Sequence, residues 1–184
     1  MKEISDIQIL ELILTDKSFD EGFEKLVVKY QEKLYWHIRR MVHFHEDADD
    51  VIQNTFIKVF KNIKGFQKKS KLYTWIYRIA TNEAITFLNK RKKSKNIVQD
   101  VDTLEQKLIA DEYFDGDQAE LKLIKAIELL PAKQKLVFRM RYYQEVPYKE
   151  MSEILDTSVG ALKASYHHAV KKIENYIKDE MNYV

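Results

Sequence analysis

Cysteine is absent from this 184-residue chain. That excludes disulfides, thiolate metal sites and a thiol nucleophile, and it fits a reducing compartment. Glycine and proline are scarce, at four and two residues. No Gly-rich phosphate loop and no HExxH pair occurs. His43, His45, Glu46 and Asp47 are potential ligands without a metal-site spacing, and His167 and His168 would point about 100° apart on a helix. Neither metal nor cofactor is therefore expected. No pattern isolates a general acid and base, so no enzymatic activity is expected. No apolar run approaches the roughly 20 residues of a membrane span, and the opening MKEISDIQILELILTDKSF lacks a signal-peptide pattern. A cytoplasmic location is expected.

What is present favours helix. The chain is 45% apolar and rich in Lys, Leu, Ile and Glu, with no alternating strand signal and no internal repeat. An all-α fold is expected, built as two small helical domains joined by a linker. Net charge is only +2, but it is unevenly placed. Residues 1–98 hold 19 Lys and Arg against 13 Asp and Glu; residues 99–120 hold 1 against 8; residues 121–184 hold 11 against 8. Two basic blocks flank an acidic middle, an arrangement suited to a polyanion. The expected division is 1–95, a linker over 96–118 with a short helix at LEQKLIA, and 119–184.

In the first block, FDEGFEKLVVKYQEKLYWHIRRMV has helical periodicity, with Phe23, Leu26, Val27, Tyr30, Leu34 and Ile38 as its inner face. EDADDVIQNTFIKVF follows. Its acids suit a helix N-terminus, and Ala48, Val51, Ile52, Thr55, Phe56, Val59 and Ile63 form a buried stripe. Asp50, Gln53, Asn54, Ile57 and Lys61 fall together on the far side. That face is either solvated surface or a contact patch. Then KNIKGFQKKSKLY breaks the pattern around Gly65 and, with Lys58 just upstream, brings six lysines together. In the next helix Trp75, Arg78, Asn82, Asn89 and Lys93 share one edge, with Phe66 and Tyr73 just before it. Cations interleaved with aromatics suit single-stranded nucleic acid, which lysines hold by its backbone and rings by its bases. Core packing of Trp75 beside Leu72, Ile76 and Ile79 is the other reading.

In the second block AELKLIKAIELL is helical, and Pro131 is expected to open another helix at its first position. Tyr148, Met151, Ile154 and Leu155 make a short amphipathic helix. Asp156, Thr157 and Ser158 make a turn and cap. Val159, Leu162, Tyr166, Ala169, Val170 and Ile173 make the inner face of a second helix. Two helices across a tight turn fit a helix-turn-helix, whose second helix enters the DNA major groove, or an ordinary helical hairpin. The outward residues are Gly160, Ala161, Ala164, His167, His168 and Lys171, with Lys163 at the edge.

The order of DADDVIQNTFIKVF, LYTWIYRIATNEA, LNKRKK, an acidic segment, LPAKQKLVFRMRYYQEVPYKEMSEIL and SVGALKASYHHAVKKI resembles the extracytoplasmic-function (ECF) sigma factors. These are small initiation factors of the bacterial sigma-70 family. The resemblance covers about residues 20–95 and 119–178. It implies core RNA polymerase as partner, through the β′ coiled coil and the β subunit, and promoter DNA, double-stranded and melted. An anti-sigma factor or an additional DNA-targeting partner is a further candidate. Asp50, Gln53, Asn54 and Ile57 would dock on polymerase, with Asn54 where the family commonly has Glu. The first block would act on the −10 element with Phe66, Lys68, Lys69, Lys71, Tyr73, Trp75, Arg78, Asn82 and Asn89. Thr86 stands where Asp, and Asn89 where Arg, is often found. The second block would read the −35 element with Lys163, Ala164, His167, His168 and Lys171. A helix-turn-helix regulator with a helical N-terminal sensor domain is the alternative.

Overall fold

The computed structural model describes residues 4–15, 18–94 and 118–182. Among them are eight α-helices and no strand. The chain divides into two compact units, Met1–Asn89 and Lys90–Val184. The acidic linker and its expected short helix lie outside the described residues, apart from Gln118.

The first unit is built from α1 (Asp6–Leu14), α2 (Phe19–Val42), α3 (His45–Asn62), a 3-10 turn (Ile63–Gly65) and α4 (Leu72–Ser94). α2 buries Leu26, Tyr30, Leu34 and Ile38 as its spacing predicts, while Phe23 and Val27 are only half-buried. α3 buries Ala48, Val51, Thr55 and Val59. α4 buries Leu72, Ile76 and Ala80. Each fully buried Ile or Leu contributes about 1.5–3 kcal/mol. Among the described residues, this unit also buries the polar side chains of His37, Thr55, Thr74 and Thr81. His37 Nε2 lies 2.8 Å from the Thr81 oxygen. The Thr81 hydroxyl donates to the Tyr77 carbonyl at 2.8 Å, so its oxygen accepts from His37 and fixes the proton on Nε2. The bond ties α2 to α4.

α1 was not anticipated from its apolar pattern. Its signal is a capping box: Ser5 Oγ accepts from Gln8 N at 3.3 Å, and Gln8 Oε1 accepts from Ser5 N at 3.0 Å.

The second unit holds α5 (Gln118–Glu128), α6 (Ala132–Tyr142), α7 (Tyr148–Leu155) and α8 (Val159–Asn182). Ala126, Ile127, Leu130, Phe138, Ala169 and Ile173 form one buried cluster. Pro131 is the N-cap rather than the first helical residue, with ψ at 143° and α6 starting at Ala132. Asp156 takes the left-handed conformation, φ 49° and ψ 49°. Ser158 Oγ then accepts from Ala161 N at 3.3 Å and caps α8. Val159 departs from its expected inner position and is 37% exposed. It is the first residue of α8, so it sits at the rim of the hairpin, ahead of the turns that α7 covers. No described helix is long and apolar enough to cross a membrane.

Candidate functional site

The outer row of α3 stands clear of the core. Asp50, Gln53, Asn54, Ile57 and Lys61 are all exposed, and Ile57 leaves half of its surface to solvent. The opposite side is sealed, and there the Thr55 hydroxyl donates to the Val51 carbonyl at 2.8 Å. The Asn54 amide donates to the Asp50 carbonyl at 2.9 Å, which holds it along the helix. Phe60 belongs to this row and was missed. It follows Gln53 by two turns, a spacing that could have found it. Its ring, 47% exposed, is propped edge-on by Phe19 and Phe23, with centroids 5.1 and 5.0 Å away.

The chain after α3 turns through Ile63–Gly65 into the lysine-rich segment. Lys61, Lys64, Lys68, Lys69 and Lys71 are exposed, and Lys64 lies over the Phe19 ring at 5.0 Å. Lys68 has φ 55°, the left-handed region. The Phe66 ring lies 5.2 Å from Trp75. Trp75 is half-buried, and with Lys58, Asn62, Gly65 and Ile79 it lines an open hollow of about 380 Å³. Trp75 is thus partly packed, as the core reading expects, and its remaining surface faces the hollow. Tyr73 is drawn inward, its ring 4.1 Å from that of Tyr77. Burial, with the nearby Tyr73 phenol, raises the Tyr77 hydroxyl above its ordinary range; it donates to the Lys33 carbonyl. Arg78, Asn82 and Asn89 are exposed on the same helix; the Lys93 side chain lies outside the described residues. Lys58 and Glu83 form an ion pair that joins α3 to α4.

In the second unit Gly160, Ala161, Lys163, Ala164, His167, His168 and Lys171 are all exposed along α8. Small residues there let a helix approach DNA closely, and Lys and His can donate to bases or phosphates. α8 itself carries no arginine. Folding brings one near it. The Arg141 guanidinium of α6 lies 5.2 Å from the Tyr148 ring centre, and Lys163 Nζ lies 6.0 Å from the same centre. Both distances fit cation–π contact. Arg141 also donates to the Glu145 carbonyl at 3.2 Å. Burial, more than the neighbouring Tyr148, raises the Tyr166 hydroxyl above its ordinary value. No group of three or more His, Asp or Glu able to hold a metal occurs among the described residues.

The sigma-70 region 2 family pattern matches residues 26–94, and the sigma-70 region 4 pattern matches residues 120–173. The chain is 29% identical to the ECF RNA polymerase sigma-E factor of Haemophilus influenzae, over 98% of this chain and 99% of that protein. It is 30% identical to the ECF RNA polymerase sigma factor SigW of Bacillus subtilis, over 89% of this chain and 92% of that one. Two solved structures share the fold. The sigma factor RpoE, in complex with the anti-sigma factor NepR from Bartonella quintana, has a TM-score of 0.64 at 18% identity, covering 86% of this chain and 98% of that one. CnrH, in complex with the cytosolic domain of CnrY, has a TM-score of 0.67 at 16% identity, covering 93% and 96%. With both region patterns present in order, and relatives matched over nearly their whole length, the chain belongs to the extracytoplasmic-function sigma factors of the sigma-70 family.

Proposed function

We propose that this chain binds core RNA polymerase, directs it to promoters and opens the −10 region to start transcription. It acts in the cytoplasm and catalyses no reaction of its own. Residues 1–95 would dock and open, residues 96–118 would tether, and residues 119–184 would read the −35 element. The polymerase contact is the α3 row of Asp50, Gln53, Asn54 and Ile57, facing the β′ coiled coil. The reading rests chiefly on one observation: a single run of chain from α3 through its turn into α4 carries both the exposed polar row and the cationic, aromatic segment around the hollow. Polymerase docking and strand capture would then share one rigid support. Run-off transcription with core enzyme and genomic promoter fragments tests it. Failure to bind core polymerase would leave an ordinary helix-turn-helix regulator.

In this reading Phe66, Lys68, Lys69, Lys71, Tyr73, Trp75, Arg78, Asn82 and Asn89 act on the −10 strand. Unpairing costs free energy that stacking offsets at about 1–3 kcal/mol per base. Lys68→Ala with Lys69→Ala should impair open-complex formation more than polymerase binding. Lys68 has positive φ, and alanine meets a similar backbone cost there, so the pair of substitutions isolates the charge. Permanganate footprints that stay unchanged would refute the assignment.

The −35 element would meet Lys163, Ala164, His167, His168 and Lys171. A bidentate arginine–guanine contact discriminates by about 1–3 kcal/mol, and α8 carries no arginine. Arg141 and Lys163, gathered on Tyr148, suit the DNA backbone, which carries no base code. Changing a single −35 base should therefore reduce transcription by less than about tenfold. Lys163→Ala should weaken many promoters alike. A steep loss confined to one base pair, measured across a −35 substitution series, would restore direct readout. With weak −35 readout, promoter choice would rest more on the −10 contacts or on an additional DNA-targeting partner, and an anti-sigma factor is a further candidate partner.

A further inference from the structure

α1 is fastened to α2 more firmly than its short length requires. Ile9, Leu10 and Ile13 are buried. A Cβ at Gly22 would lie 2.8 Å from both the backbone nitrogen of Ile13 and Cβ of Leu12, so the two helices meet backbone to backbone there. The Asp6 carboxylate accepts the Tyr30 hydroxyl at 2.8 Å and pairs with the Lys29 ammonium at 2.7 Å. Lys29 also donates to the Ile4 carbonyl at 2.8 Å. Ser18 Oγ donates to the Leu12 carbonyl at 3.0 Å, closing the connection.

α1 also packs against the Ile63–Gly65 turn. Ile63 is 1% exposed. The Phe66 amide donates back to the Ile63 carbonyl at 3.1 Å. The turn is thus the stem from which the cationic segment springs, and Gly65 lines the hollow beside Trp75. A segment whose stem is held in place loses less conformational freedom when it grips a ligand than one on a loose stem.

We infer that α1 positions the strand-capturing segment: Gly22 and Asp6, acting through α1, hold the Ile63–Gly65 turn and so set the placement of Phe66 to Tyr73 for unpaired bases. Gly22 and Asp6 are positioning residues that touch no DNA. The inference rests on the reading of that segment as the −10 contact.

The test uses full-length chain reconstituted with core polymerase. The probe is a fluorescein-labelled fork DNA whose single strand carries the −10 sequence of a promoter recovered by run-off transcription. Gly22→Ala and Asp6→Asn should each weaken fork binding by about tenfold, with core-polymerase affinity within about twofold of the parent. Asp6→Glu, which keeps the carboxylate, should recover most of the fork affinity. Equal losses of fork and core affinity would reduce α1 to a stabiliser of the fold and overturn the inference. So would fork binding that Asp6→Asn leaves unchanged. If the parent holoenzyme itself ignores the unpaired strand, the −10 reading falls first and the inference falls with it.

Discussion

Glu128→Ala is expected to destabilise the second unit by up to about 3–5 kcal/mol, the loss found when one partner of a fully buried ion pair is removed. Arg139 is buried, 5% exposed, and its guanidinium pairs with the Glu128 carboxylate across α5 and α6. Lys135 joins the same carboxylate at 2.8 Å. Burial pushes the Arg139 guanidinium down from its ordinary value, and Glu128 pushes it back up. Removing the carboxylate takes from this desolvated cation the charge that most offsets its burial. Replacing the pair together, as Glu128→Leu with Arg139→Met, should recover much of the loss, because an apolar pair pays no desolvation. The measurement is clean because both tryptophans, Trp36 and Trp75, lie in the first unit. Tryptophan fluorescence should keep its urea midpoint while far-UV circular dichroism gains an earlier transition. A dichroism curve identical to the parent's would show that Arg139 does not depend on Glu128.

The second large effect is on binding, not folding. Asp50→Ala with Gln53→Ala should weaken core-polymerase affinity by about 30-fold or more, the scale of an interface hot spot near 2 kcal/mol. Both side chains are exposed, so helicity and melting temperature should hardly change. Val51→Ala, on the sealed side of the same helix, should do the reverse and lower stability first. Phe60→Ala should do some of each, since its ring is half exposed and also packs on Phe19 and Phe23. Fluorescence anisotropy against core enzyme, paired with thermal melts, separates the three patterns. If Asp50→Ala with Gln53→Ala lowered the melting temperature and left affinity intact, the row would belong to the fold and not to the polymerase contact.

The helices were legible because one-sided burial leaves a repeat of three and four residues along the chain. α2 and α3 followed that repeat, and so did the exposed sides of α3 and α8. Residues at the ends of elements were read less well. Val159 stands where a helix has only begun, and Pro131 where one has yet to begin. A periodic pattern does not say which turn is first. α1 escaped because its nine residues are apolar on nearly every side, so no stripe stands out; only the Ser5–Gln8 cap marked it.

By itself, then, the sequence determined the all-helical class, the two basic blocks and which side of each long helix turns to solvent. These follow from composition and from the pitch of a single helix, both local properties. The tertiary structure alone decided what those sides meet. It set Gly22 under α1, Phe60 against Phe19 and Phe23, Trp75 at the edge of a hollow, and Arg139 against Glu128. It also brought Arg141 of α6 and Lys163 of α8 to the one ring of Tyr148. Each of these contacts joins side chains from different elements. No spacing within one helix records them, because the distance between two helices is set by how their buried faces pack together.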